Sequence, residues 1–146
     1  MKKAERIEKF NEAKQEYYQI IKDLPDLTGS EKQIVWATDI RKEIVACLDK
    51  QLEGYFDVRR LTSSIVQLKI VNIMLVKERS AKFYIDNRYM LKKGIDIASE
   101  KYAFEFIKVP DDFDGDCIDY LTSFVREGMD IDEIERMLKI KRWGVK

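Results

Sequence analysis

Carboxylates are the residues of this chain whose spacing invites chemistry. Asp111, Asp112, Asp114 and Asp116 fall on adjacent or alternate positions around Gly115, and alternating carboxylates in a loop are what a hard cation requires. The calcium-loop pattern then fails. Counted from Asp112, the sixth position should be Gly and is Cys117, and the twelfth should be Glu and is Ser123. A simpler reading makes Asp114 or Asp116 the cap of a following helix, with its neighbours solvated near the positive helix end. A carboxylate and lysine nuclease centre can also be drawn from Asp96 or Asp111 with Glu105 and Lys108. In a chain that is 37% charged, such triplets arise by chance.

Other chemistries lack their residues. The chain has no histidine, which removes the usual general base, the commonest zinc ligand and the partner that activates a serine or cysteine nucleophile. Its six glycines are spread through the chain, so no glycine-rich loop is available to cradle a phosphate. Neither a metal nor a cofactor is expected, and the function has to be argued as binding rather than catalysis. Two cysteines, Cys47 and Cys117, with no apolar signal segment after Met1, fit a reducing cytoplasmic setting. The longest apolar-rich stretch, 65–76, is interrupted by Gln67, Lys69 and Asn72 and is too short to span a bilayer.

Net charge hides the strongest signal. The 27 basic and 27 acidic residues cancel, yet the segment from Asp111 to Glu135 holds ten acidic residues against Arg126 alone, a net of −9. Residues 1–110 carry +4 (21 basic, 17 acidic) and residues 136–146 carry +5. An acidic block between basic flanks predicts a surface that meets a charged partner. The candidate contact residues are Asp111, Asp112, Asp114, Asp116, Asp119, Glu127, Asp132 and Glu135. A competing surface is basic and interleaved with aromatics: Lys77, Arg79, Lys82, Arg88, Lys92 and Lys93 among Phe83, Tyr84 and Tyr89, joined by Lys141, Arg142 and Trp143 of the tail. Such a surface could contact phosphates and stack bases, although an ordinary amphipathic helix produces the same mixture.

The elements that must position these groups read as helical. Ala4, Ile7, Phe10, Ala13, Tyr17, Ile20 or Ile21, and Leu24 recur at helical spacing until Pro25. Ser30 and Gln33 form a capping box that opens a second helix, with Trp36 or Ala37, Ile40, Ile44, Cys47 or Leu48, and Leu52 inward, ending near Gly54. Asp57 caps a third segment through Leu75, although its β-branched run 65–76 is also compatible with a buried strand. Ser80 starts a segment 81–93 that Gly94 stops as a left-handed residue. Residues 102–109 suit either a short strand or a helix end. A helix over 117–127, closed by Gly128, and a last one from Asp130 and Glu133 to about 140 complete the chain. The expectation is a mainly α, single-domain bundle of five or six helices over 1–146, with a minor strand pair allowed near 102–109.

Two segments, Leu27 to Arg41 and Ser80 to Arg88, resemble a module of uncharacterised proteins from phages and mobile elements of low-GC Gram-positive bacteria. There a "TGSxKQIxWAxxIR" helix precedes a "SAKxxIDNR" helix. The resemblance covers about the middle third of the chain and brings no catalytic residues. It implies a bacterial mobile-element setting, in which small non-enzymatic proteins often occupy a host surface, as anti-CRISPR proteins do. Together with the acidic block, it leads to an expected partner: a host nucleic-acid-binding defence nuclease whose basic groove the carboxylates block. Direct nucleic-acid binding is the alternative.

Overall fold

The computed structural model describes the backbone of residues 1–142 and the side chains of residues 1–138. Eight helices are present among them: α1 (Lys3–Lys22), α2 (Glu31–Leu52), α3 (Leu61–Lys77), α4 (Ala81–Asp86), α5 (Arg88–Leu91), α6 (Ile95–Phe104), α7 (Cys117–Arg126) and α8 (Asp132–Arg142), with a 3-10 turn at Val58–Arg60 before α3.

The core forms around α3. Eleven of its seventeen residues are buried, because α1, α6, α7 and α8 all pack against it, and a helix buried on every side can be apolar all round. This settles 65–76 as helix rather than strand. The β-branched residues lose little here, since burial of Ile65, Val66, Ile70, Val71 and Ile73 outweighs their weak helix propensity. The one buried amide on α3, Asn72, donates to the Ala13 carbonyl (3.1 Å) and to Glu16 (3.2 Å), tying α3 to α1.

The Ser30 capping box forms as its sequence predicts: the Gln33 amide donates to Ser30 Oγ (3.2 Å) and the Ser30 amide to Gln33 Oε1 (3.1 Å). On the inward face of α2, Ala37 takes the buried position and Trp36 stays half exposed (50%). An alanine fits there because α4 packs against α2. The two chain segments also meet edge to edge, where the Thr28 amide donates to the Arg79 carbonyl (2.7 Å) and the Ala81 amide to the Thr28 carbonyl (2.9 Å). Gly29 sits in this junction at φ 142°, where an added Cβ would lie 3.3 Å from Ala81 Cβ.

Three expectations are corrected. Five or six helices understates the number, for two reasons: 81–93 breaks at Asn87, whose side chain donates to the Phe83 carbonyl (2.8 Å) while its backbone leaves the helical region, and residues 95–104 form α6. Gly94 has the positive φ expected of a glycine there (130°), but with ψ 176° it lies outside the left-handed helical well and is the residue from which α6 starts. An added Cβ would collide with the Gln51 side chain, which accepts from the Ile95 amide (2.7 Å). Finally, no strand pair forms near 102–109, and no strand occurs among the described residues beyond the isolated Thr28 and Ser80 bridge. Tyr102 instead ends α6 facing inward, its ring edge-on to Phe106 and Phe83, and the amides of Phe106 and Ile107 both return to the Ala103 carbonyl.

Candidate functional site

α7 divides the acidic segment into carboxylates with structural duties and carboxylates without. Asp116 and Asp119 form a reciprocal capping box, Asp119 N to Asp116 Oδ1 (2.8 Å) and Asp116 N to Asp119 Oδ2 (3.0 Å). Glu100 reaches across from α6, each of its oxygens accepting from one further amide, Cys117 (3.1 Å) and Ile118 (3.0 Å). The free amides that begin a helix are thereby met by three carboxylates, whose charge also suits the positive helix end. Burial beside Glu100 pushes the Cys117 thiol up to about 12, so it remains protonated and is a poor nucleophile at neutral pH.

The second half of the segment is likewise engaged. Asp130 accepts from the Asp132 amide (3.0 Å), Asp132 pairs with Lys69 (3.5 Å), and Glu133 pairs with Arg136. Burial disfavours the Lys69 charge, but Glu16 and Asp132 more than offset it and raise the affinity of this amine for its proton. Glu135 is half-buried and engaged.

Four candidates are left with exposed side chains that make no hydrogen bond or ion pair: Asp111, Asp112, Asp114 and Glu127. The structure gathers the first three on one loop at the start of α7. Glu127 lies beyond the far end of that ten-residue helix, about 15 Å away at 1.5 Å per residue. The loop continues from a shallow apolar depression of about 490 Å3 lined by residues 104–109, on whose rim Phe104 is 69% exposed. Phe113 anchors the loop from within, its ring edge-on to Tyr120 at 5.1 Å. Nothing in the sequence pattern separated Phe104 from the inward aromatics around it. The signal was only that α6 places Tyr102 and Ala103 inward, which turns the next position out.

The basic candidates have a different fate. Lys82 pairs with Asp86 (2.7 Å) and Lys92 with Glu43 (2.5 Å). Phe83 and Tyr84 face the core, while Tyr89 is 70% exposed. The Arg88 guanidinium lies over two rings, 5.0 Å from the Trp36 centroid and 4.6 Å from that of Tyr89. Lys77, Arg79 and Lys93 make no ion pair; Lys77 ends α3, Arg79 follows in the connection to α4, and Lys93 lies between α5 and α6. Lys141 and Arg142 close α8, with side chains outside the described residues, as Trp143 is altogether.

Among the described residues no three Cys, Asp or Glu side chains gather to hold a metal ion, and Glu105 of the sketched nuclease centre pairs with Lys101 (3.7 Å). No helix among them is long and apolar enough to cross a membrane. No protein-family model matches this chain, and neither a curated protein nor a solved structure matches it.

Proposed function

We propose that this chain is a non-enzymatic binding protein of a bacterial mobile element that blocks a basic nucleic-acid-binding site on a host defence nuclease, in the manner of an anti-CRISPR protein. The observation that carries the reading is the 104–114 segment, where Asp111, Asp112 and Asp114 stand exposed and unpaired on the loop that follows the depression bearing the exposed Phe104 ring. Interfaces commonly combine a desolvated aromatic anchor with a polar rim, and carboxylates on that rim steer a cationic partner into contact. The mobile-element setting rests on the resemblance of 27–41 and 80–88, segments that pack together as α2 and α4. Competition tests the reading. The chain is titrated onto a guide-free CRISPR effector nuclease by biolayer interferometry, with guide RNA as competitor. Binding that guide RNA displaces supports the proposal, whereas no binding, or binding indifferent to guide RNA, rejects it.

A second reading is favoured by Arg88 stacked between exposed Trp36 and Tyr89, a layer on which unpaired bases could stack. It requires single-stranded DNA affinity that falls with salt and is lost in Trp36→Ala.

A further inference from the structure

We propose that the cleft between the start of α1, the 3-10 turn and the end of α7 binds the phosphate group of a small phosphorylated ligand. This site is separate from the 104–114 surface and does not depend on the proposed function. The cleft measures about 370 Å3, and three arginines from three different elements line it: Arg6, Arg59 and Arg126. Asp57 accepts from Arg59 Nε and Nη2 at 3.2 Å each, whereas Arg6 and Arg126, on the same wall, have no carboxylate partner.

Helix chemistry accounts for only part of this. A cation in the last turn of α7 suits the negative helix end, which explains Arg126 but not its convergence with Arg6 and Arg59. Arg126 is exposed and has no ion pair. Arg6 donates from Nη1 to the Met1 carbonyl (2.8 Å), while its buried Nε has no hydrogen-bond partner. Buried donors are nearly always satisfied, and Arg6 is left with one N–H that its present position does not pair. Thr62, whose side chain is largely buried, adds a hydroxyl to the same wall. Guanidinium groups are suited to phosphate because their paired N–H groups match two oxygens at once.

The rest of the ligand has a place as well. Met1 and Val125 line both this cleft and an adjoining depression of about 400 Å3 whose wall also carries Met129, Ile131, Glu5 and Asp130. A body attached to the phosphate would lie there with its apolar part along the methionine and aliphatic side chains and its hydroxyl or amino groups toward the two carboxylates, and the combined space is that of an ordinary small-molecule site.

Calorimetric titration of the full chain at physiological salt tests the proposal with four probes: inorganic phosphate, adenosine monophosphate, adenosine and a short single-stranded oligonucleotide. Both phosphate and the monophosphate are expected to bind, the monophosphate more tightly, and adenosine is not. Arg59→Gln and Arg126→Gln should each weaken the monophosphate by roughly tenfold, with circular dichroism unchanged because both side chains are exposed. Lys42→Gln, an exposed cation of α2 outside the cleft, should leave binding intact. The proposal is overturned if neither phosphate probe binds, if only the oligonucleotide binds, or if Lys42→Gln weakens binding as much as the cleft variants do.

Discussion

The basic stretch 77–93 and the acidic stretch 111–135 resemble each other in density of charge, yet the fold treats them in opposite ways. In the basic stretch the partners are mostly side chains: Lys82 is held by Asp86, Lys92 by Glu43, and Arg88 by two rings together with the Ile85 carbonyl. What remains is divided between two connections, Lys77 and Arg79 where α3 gives way to α4 and Lys93 where α5 gives way to α6. In the acidic stretch several partners are backbone amides, because two helix starts fall inside it and a helix start presents unmet donors that carboxylates satisfy. The surplus then collects on the loop before α7, as Asp111, Asp112 and Asp114. A run of charge becomes a usable surface only where it exceeds the local demand for caps and pairs, and only the acidic stretch does so in one place.

The comparison can be broken or sharpened in order of effect. Leu121 is fully buried and ties α7 to the core, so Leu121→Ala should cost about 2–5 kcal/mol of stability in urea denaturation, loosening the acidic region as a whole. Glu100→Ala, which leaves two α7 amides without their acceptor, should cost about 1–3 kcal/mol. A cost near zero would mean that solvent replaces Glu100 and that α7 does not depend on α6 for its start. Asp116→Ala removes one side of the capping box and should cost about 1 kcal/mol. In the basic stretch, Lys82→Ala breaks an exposed ion pair one helical turn long and should change stability by no more than about 0.5 kcal/mol. If Lys82→Ala proved as costly as Asp116→Ala, the distinction between caps and surface pairs would fail.

Much of this division was legible from residue order. The Ser30 and Gln33 box and the middle of the inward faces of α1, α2 and α7 follow from spacing alone, because capping and amphipathicity act over one or two turns, whereas spacing left Asp114 and Asp116 as alternative caps of α7, turned Ala4 and Ile7 inward where both are exposed, and gave Glu133 a capping role that its pairing with Arg136 replaces. What spacing could not supply was contact between distant segments. Glu100 looks like an ordinary helix-surface glutamate until α6 is placed beside α7. Phe104 is one aromatic among several in 102–106, and Trp36 and Ala37 compete for one inward position until α4 decides it. The arginine cleft is the extreme case, since Arg6, Arg59 and Arg126 come from three parts of the chain and only the packing of α1, the 3-10 turn and α7 brings them together.

The central claim is that the free carboxylates of the 111–114 loop form a binding surface rather than a structural one. It is tested most directly by the triple substitution Asp111→Asn, Asp112→Asn, Asp114→Asn, with melting temperature and affinity for a guide-free CRISPR effector nuclease measured on the same samples. Because these exposed side chains make no hydrogen bond or ion pair within the fold, stability should stay within about 0.5 kcal/mol of the parent, while affinity falls by about tenfold or more. Unchanged affinity, or a loss of stability large enough to explain a weaker interaction, contradicts it.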